Sequence, residues 1–234
     1  MLWAHGSEVR LRQASAAYES GDLAAAIWLY REFLKDFPDA AEIRSNLGAA
    51  LVRDGQFADA RTEYNLALRR VPNNSQVRMN LALAYYKLGR LAEAVTHLEV
   101  LHNLQPRDGE SAESAFLLGQ SELLRNDLVA AVGHLARAVE LNPKMPWAHT
   151  LYGQALRREG RLEQANAQFN EELQVNPYDF TANTEVAMLL RQDGKLDEAL
   201  AHVTLALQVR PNDPGVLYQR ASIHLRPACH RSGR

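Results

Sequence analysis

The sequence predicts an all-α protein, a solenoid of about six helical hairpins followed by a single C-terminal helix, and three ladders of residues predict it. Pro38, Pro72, Pro106, Pro143, Pro177 and Pro211 recur at intervals of 34, 34, 37, 34 and 34 residues. Gly21, Gly55, Gly89, Asn126, Gly160 and Gly194 keep the same intervals, and so do Ala26, Ala60, Ala94, Ala131, Ala165 and Ala199. A fixed period of this size marks stacked helical repeats, each too small to bury its apolar face alone. All three ladders gain three residues between Pro106 and Asn126, and the polar stretch Arg107 to Ser111 reads as the loop that holds them.

Each ladder has a physical task. Proline ends a helix because it lacks a backbone donor and clashes with the preceding turn. Glycine accepts the positive φ of a sharp turn, and asparagine is the other residue that tolerates it best. Alanine marks a crossing too close for a larger side chain. One repeat is therefore helix A before the glycine and helix B between glycine and proline. In order the repeats are 7–40, 41–74, 75–108, 112–145, 146–179 and 180–213, and 7–225 reads as one solenoid. Asp213 and Pro214, a cap and a first-turn proline, start a seventh helix A that Pro227 stops. Val216, Ile223 and Leu225 give that helix an apolar outer face, so its end is expected to self-associate. Residues 226–234 lack periodicity and read as a disordered basic tail.

On these residues the chain resembles the tetratricopeptide repeat (TPR) family. Repeat 2 carries Leu47-Gly48, Leu51, Ala60, Tyr64 and Pro72, and repeat 5 carries Tyr152-Gly153, Leu156, Ala165, Phe169 and Pro177. Repeat 3 has Leu81-Ala82, Tyr85, Ala94, Leu98 and Pro106; repeat 4 places Glu122 at the usual tyrosine position. Repeats 6 and 1 match more loosely. The resemblance implies a right-handed α-solenoid whose A helices line a concave face, and a protein that binds other proteins.

Bulk properties narrow the class. The chain is 47% hydrophobic and 23% charged with a net charge of −2, ordinary for a globular protein. Residues 109–213 hold 9 basic and 15 acidic side chains, which speaks against a nucleic-acid partner. The single cysteine, Cys229, excludes an intramolecular disulfide and a thiolate metal site. No run of about 18 apolar residues is present to span a membrane. The expected location is cytoplasmic, or periplasmic if a signal peptide lies outside this chain.

No nucleotide-binding, zinc-protease or nucleophile-elbow motif occurs, so the expectation is a protein that is not an enzyme and takes no cofactor and no metal. His97, His134 and His202 each follow the ladder alanine by three residues. Helix axes about 8–10 Å apart cannot bring such residues to the roughly 2.0–2.1 Å that zinc requires. They read instead as a half-buried packing position. The pairs Glu171-Glu172 and Asp197-Glu198 on the B helices read as solvated faces.

Binding is where the pattern is informative. By resemblance, the second, fifth, sixth, ninth, twelfth and thirteenth places of each repeat face the groove, one stripe of helix A. A carboxylate clamp for chaperone tails needs lysine at the fifth place, and Leu11, Ser45, Met79, Phe116, Thr150 and Thr184 stand there. The clamp is absent; Asn46 and Asn80 match only its middle element. The stripe is apolar instead, with Met79, Leu83, Tyr86, Phe116, Leu117, Leu123, Leu124, Trp147 and Leu151. Such a patch marks a partner surface. Asn80, Gln120 and Gln154 add amides able to pair with a peptide backbone. The expected partner is a protein or peptide with an apolar segment. A rotation of helix A in repeat 4 by the three-residue insertion would instead make Phe116, Leu117 and Leu124 core. Arg53, Lys87, Arg157, Arg158 and Arg191 form a broken basic edge suited to steering an acidic peptide, or a solvated face. Two functions follow: an adaptor, or the substrate-docking arm of a larger, truncated protein of the glycosyltransferase type. By resemblance the second implies an inward asparagine ladder, which Leu117, Leu151 and Glu185 interrupt.

Overall fold

The computed structural model describes the backbone of residues 2–104 and 111–225 and the side chains of 7–103 and 111–225. Among the described residues there are thirteen α-helices and no strand. They fall into two compact units divided after Arg125. The first holds α1 (Leu2–Ser20), α2 (Leu23–Asp36), α3 (Ala41–Arg53), α4 (Phe57–Arg70), α5 (Ser75–Lys87), α6 (Leu91–Leu104) and α7 (Ala112–Leu124). The second holds α8 (Leu128–Leu141), α9 (Ala148–Arg158), α10 (Leu162–Val175), α11 (Phe180–Gln192), α12 (Leu196–Val209) and α13 (Pro214–His224). Within each unit every helix packs against its neighbours in sequence. A helices also meet across one repeat, α3 on α5 and α5 on α7 in the first unit, α11 on α13 in the second.

The three ladders do the work their residue types allow. All six ladder alanines are fully buried. The five ladder glycines have φ between 70° and 85°, and Asn126, at φ 65°, substitutes for the sixth. At Gly55 the turn closes as a Schellman motif, with the Gly55 amide on Val52 O and the Gln56 amide on Leu51 O. The residues before the prolines, Phe37, Val71, Asn142, Asn176 and Arg210, leave the helix with φ between −127° and −144°. Their ψ, between 66° and 90°, lies outside the helical region, which a following proline disfavours.

A second lock operates where helices A and B cross. A methyl group added at Gly48 would lie 2.6 Å from the Tyr64 ring, and one at Gly153 would lie 2.6 Å from the Phe169 ring. Repeats 3 and 6 carry Ala82 and Ala187 at the glycine position and the smaller Leu98 and Val203 opposite, so the lost space is taken up on the other helix.

The three-residue insertion leaves α7 with the same thirteen residues as α3, α5 and α11. It lengthens the connection before α7 to residues 105–111, against 71–74 before α5. Ser111 ends this stretch as the N-cap of α7, its hydroxyl accepting from the Ser114 amide at 3.1 Å. Arg107 to Glu110 lie outside the described residues, as do Pro106, Cys229 and the tail 226–234.

Helix α13 starts as the sequence predicts, with Asp213 capping Val216 N at 3.0 Å. Its apolar outer face needs correction. Val216 and Ile223 are buried in a cluster with Ala187, Ala199, Val203 and Ala206, and Leu225 and Tyr218 are large apolar residues left exposed.

Candidate partner-binding site

A polar link recurs at the starts of several A helices. The fourth residue of repeats 2, 3, 5 and 6 reaches back to the carbonyl of the preceding ladder proline, and in repeats 2, 5 and 6 also across to the residue three places after the ladder alanine. Arg44 donates to Pro38 O at 2.8 Å and to Glu63 at 2.6 Å. Arg78 donates to Pro72 O. His149 donates through Nε2 to Pro143 O at 3.0 Å, and its Nδ1 lies 2.8 Å from Gln168 Oε1. Asn183 turns its amide nitrogen to Pro177 O and Asp179 O, which leaves Oδ1 to accept from His202 Nδ1 at 2.9 Å. His97 stacks on Tyr85 with centroids 5.3 Å apart. Of the histidine ladder, His202 is part of this link, and burial lowers the pKa of both His97 and His202.

In the first unit, the stripe on α5 presents Met79, Asn80, Leu83 and Tyr86, all half-buried. Met79, Leu83 and Tyr86 rest on a core of Ala82, Val95, Leu98, Leu117 and Leu118 and keep an outer edge in solvent. Burial raises the Tyr86 hydroxyl pKa. Asn80 accepts from Gln76 at 3.1 Å and hydrogen-bonds Tyr64, whose hydroxyl pKa burial raises strongly. On α7, Phe116 and Gln120 are half-buried and Leu124 is exposed. Leu117 and Leu123, each 5% exposed, are core, so these two leave the apolar stripe. Two cavities flank Asn46. One of about 280 Å³ lies between Ser15, Tyr18, Glu19, Tyr30 and Ala49; one of about 300 Å³ reaches Ser45, Val71, Asn74 and Gln76. Both are at the lower limit for a small-molecule site, and their walls mix polar and apolar side chains.

In the second unit, Leu151 and Gln154 are half-buried on α9. Trp147 does not occupy the second position of a helix A, as the spacing predicts. It precedes α9 in the left-handed conformation (φ 63°, ψ 0°) and is 61% exposed. Its amide donates to Glu172 Oε1 at 3.3 Å, and the Thr150 amide donates to Glu172 Oε2 at 3.3 Å. Glu172 is 1% exposed, which overturns its reading as part of a solvated face; its neighbour Glu171 is exposed. Burial raises the Glu172 pKa against the pull of these two amides. Asp179 caps α11 at Ala182 N and accepts from Thr150 Oγ1 at 3.2 Å.

The basic edge is largely engaged in the fold. Arg53 donates to Tyr18 O at 2.8 Å and covers the Tyr18 ring, and Arg158 donates to Asn126 Oδ1. Arg157 lies 3.2 Å from Glu185 as an ion pair without hydrogen-bond geometry. Lys87 and Arg191 are exposed.

Sequence reasoning missed Glu172, His149, Asp179 and Asn183. One signal was available. Glu172 occupies a position held in the other repeats by Phe33, Ala67, Leu101, Ala138 and Ala206, all buried.

Comparison with known proteins agrees with this architecture. YrrB, described as a TPR protein with an unusual peptide-binding site, is similar with a TM-score of 0.68 and 20% identity over 82% of this chain and 97% of its own. PilF of Pseudomonas aeruginosa gives 0.77 and 17% over 94% and 98%. A tetratricopeptide repeat protein of Parabacteroides merdae gives 0.74 and 21% over 94% and 86%. At these identities the likeness concerns the fold. The search of curated proteins finds no match. No helix among the described residues is long and apolar enough to cross a membrane. The tetratricopeptide repeat pattern matches residues 11–75, 49–106 and 151–215, more than half of the chain, and the protein belongs to that family.

Proposed function

We propose that the chain is a non-enzymatic adaptor whose A helices bind a peptide or helix of a partner protein through an apolar segment. The observation that carries this reading is the α5 stripe. Met79, Leu83 and Tyr86 are anchored in the core on one side and open to solvent on the other, with Asn80 between them. Side chains held this way lose little further freedom when a ligand covers them, which favours their use as anchors. Trp147, Leu151 and Gln154 offer the same chemistry in the second unit, and Phe116 and Gln120 extend it on α7. The solved protein YrrB, of the same fold, is described as having a peptide-binding site, which supports a peptide as the ligand class.

The basic edge has a secondary part in this reading. With Arg53, Arg157 and Arg158 engaged internally, Lys87 and Arg191 remain to meet acidic residues flanking the apolar segment. The test is a displayed peptide library screened against the full chain. Selected sequences should be apolar, and Tyr86→Ala should weaken them about tenfold or more with unchanged helicity. Selection of purely charged sequences, or indifference to Tyr86→Ala and Trp147→Ala alike, would overturn the proposal.

A further inference from the structure

Three irregularities meet at the start of α9. Asn74, Ser111, Asp179 and Asp213 cap α5, α7, α11 and α13 with a side-chain oxygen. The residue at that place before α9 is Met145, which is buried and has no such oxygen. Helix α9 begins two residues late in its repeat, after Pro146 and the left-handed Trp147, and no side chain of the connecting loop caps it. Apart from Asn126 in its hairpin turn, Trp147 is the one non-glycine residue with positive φ among the described residues. Across from it, Glu172 puts a carboxylate where the other repeats put alanine, leucine or phenylalanine.

These three belong together. A helix start leaves amide protons without acceptors, and a buried carboxylate needs donors. Glu172 on α10 meets both needs, taking the Trp147 amide on one oxygen and the Thr150 amide on the other. We infer that Glu172 is the positioning residue of Trp147: the α10 carboxylate replaces the missing cap of α9, holds Trp147 left-handed and so presents its indole to a ligand. The last clause rests on Trp147 as an anchor of the proposed site; the first two do not. A carboxylate that merely filled space would be better replaced by alanine, the residue of repeats 2, 4 and 6.

The titratable groups facing Glu172 are His149 on α9 and Asp179, the cap of α11, and both act on its charge. Burial is the larger influence and raises its pKa, so the folded protein holds this proton more tightly than the unfolded chain. The protonated form therefore favours folding at low pH, and that contribution is lost as pH rises through the raised value. Protonation also weakens the carboxylate as an acceptor for the two amides.

The test uses the full chain with Trp3→Phe and Trp28→Phe, leaving Trp147 as the sole tryptophan. The Trp147 and Thr150 amide resonances should titrate together, with a midpoint above the ordinary glutamate value of about 4.3. Glu172→Gln should abolish that titration and shift the Trp147 emission and its quenching by acrylamide, with helicity retained. Glu172→Ala should lower exchange protection of both amides about tenfold, the size of one lost hydrogen bond. If Glu172→Ala does not fold, Glu172→Gln decides. Unchanged emission and amides in Glu172→Gln would overturn the inference. So would a titration that survives in Glu172→Gln and disappears in Asp179→Asn or His149→Gln. Binding of a library-selected apolar peptide is read separately. If Trp147 moves and peptide affinity does not, the positioning role stands and the anchor role of Trp147 falls.

Discussion

The hairpins α3–α4 and α9–α10 share their crossing and differ in how they begin. Both close helix A on helix B through a glycine beneath an aromatic ring, Gly48 under Tyr64 and Gly153 under Phe169. Both turn through a left-handed glycine, Gly55 and Gly160. At the start, α3 follows Ala40 with no side-chain cap and is tied down by the charged pair Arg44–Glu63. Helix α9 has instead the His149–Gln168 link, which contains no carboxylate, and the buried Glu172. Steric complementarity, which any copy of the repeat must satisfy, sits at the crossing. Polar chemistry, which has several solutions, sits at the helix start. That is where repeats acquire individual properties.

The strongest way to break the shared part is to close the glycine gap. Gly153→Ala adds a methyl group 2.6 Å from the Phe169 ring. Alanine favours a helix by about 1 kcal/mol over glycine, but overpacking costs about 1–3 kcal/mol or more, so the variant should be net destabilised in urea unfolding. Adding Phe169→Leu recreates the Ala82–Leu98 pairing of repeat 3 and should recover part of the loss. A double-mutant cycle without coupling would show that the ring is not what the methyl group meets.

The helix-start chemistry can be sharpened by pH. His202 donates to Asn183 as a neutral ring, and burial lowers its pKa below the unfolded value of about 6.5. The folded state therefore binds this proton less tightly. The resulting stability is present above the unfolded pKa and is lost as pH falls toward the folded one. His202→Gln introduces the residue found at this place in repeat 5, and should flatten the stability profile as pH falls below the unfolded value of about 6.5. An unchanged acid slope would exclude His202 as its source. The sign is opposite to that of Glu172, so the two variants separate cleanly.

What could be read from the sequence follows the same division. Turn glycines, ladder alanines and prolines act through backbone geometry and volume, which each residue type imposes wherever it stands. The Asn126 turn and the full burial of Ala131 were therefore legible. Even the insertion was, because it shifted three ladders together. The site was less legible because its geometry depends on partners that sequence spacing does not pair. Leu117 lies in the core in a cluster with Val95 and Leu98 of α6. Trp147 leaves its helix because Met145 and Pro146 stand before it and because Glu172, 25 residues away, can receive its amide. Glu172 itself resembled any charged residue on a B helix until the position was compared across repeats.

The smallest expected effect concerns the charged link of α3. Arg44 and Glu63 approach to 2.6 Å with side chains 16% and 20% exposed, so solvent screens them only in part. Glu63→Gln keeps a hydrogen-bond acceptor for Arg44, which also retains its bond to Pro38 O. What is lost is the charge on one partner, worth about 0.5–1 kcal/mol for a pair of this exposure. Stability of the wild type should fall with added salt more than that of Glu63→Gln, since salt weakens an ion pair and leaves a neutral bond. The matching change in the second unit, Gln168→Glu, would set a carboxylate against His149 Nδ1. Unfolding of that variant should gain salt dependence. If the two substitutions leave salt dependence as it was, the helix-start links act through hydrogen-bond geometry alone, and the difference between α3 and α9 reduces to Glu172.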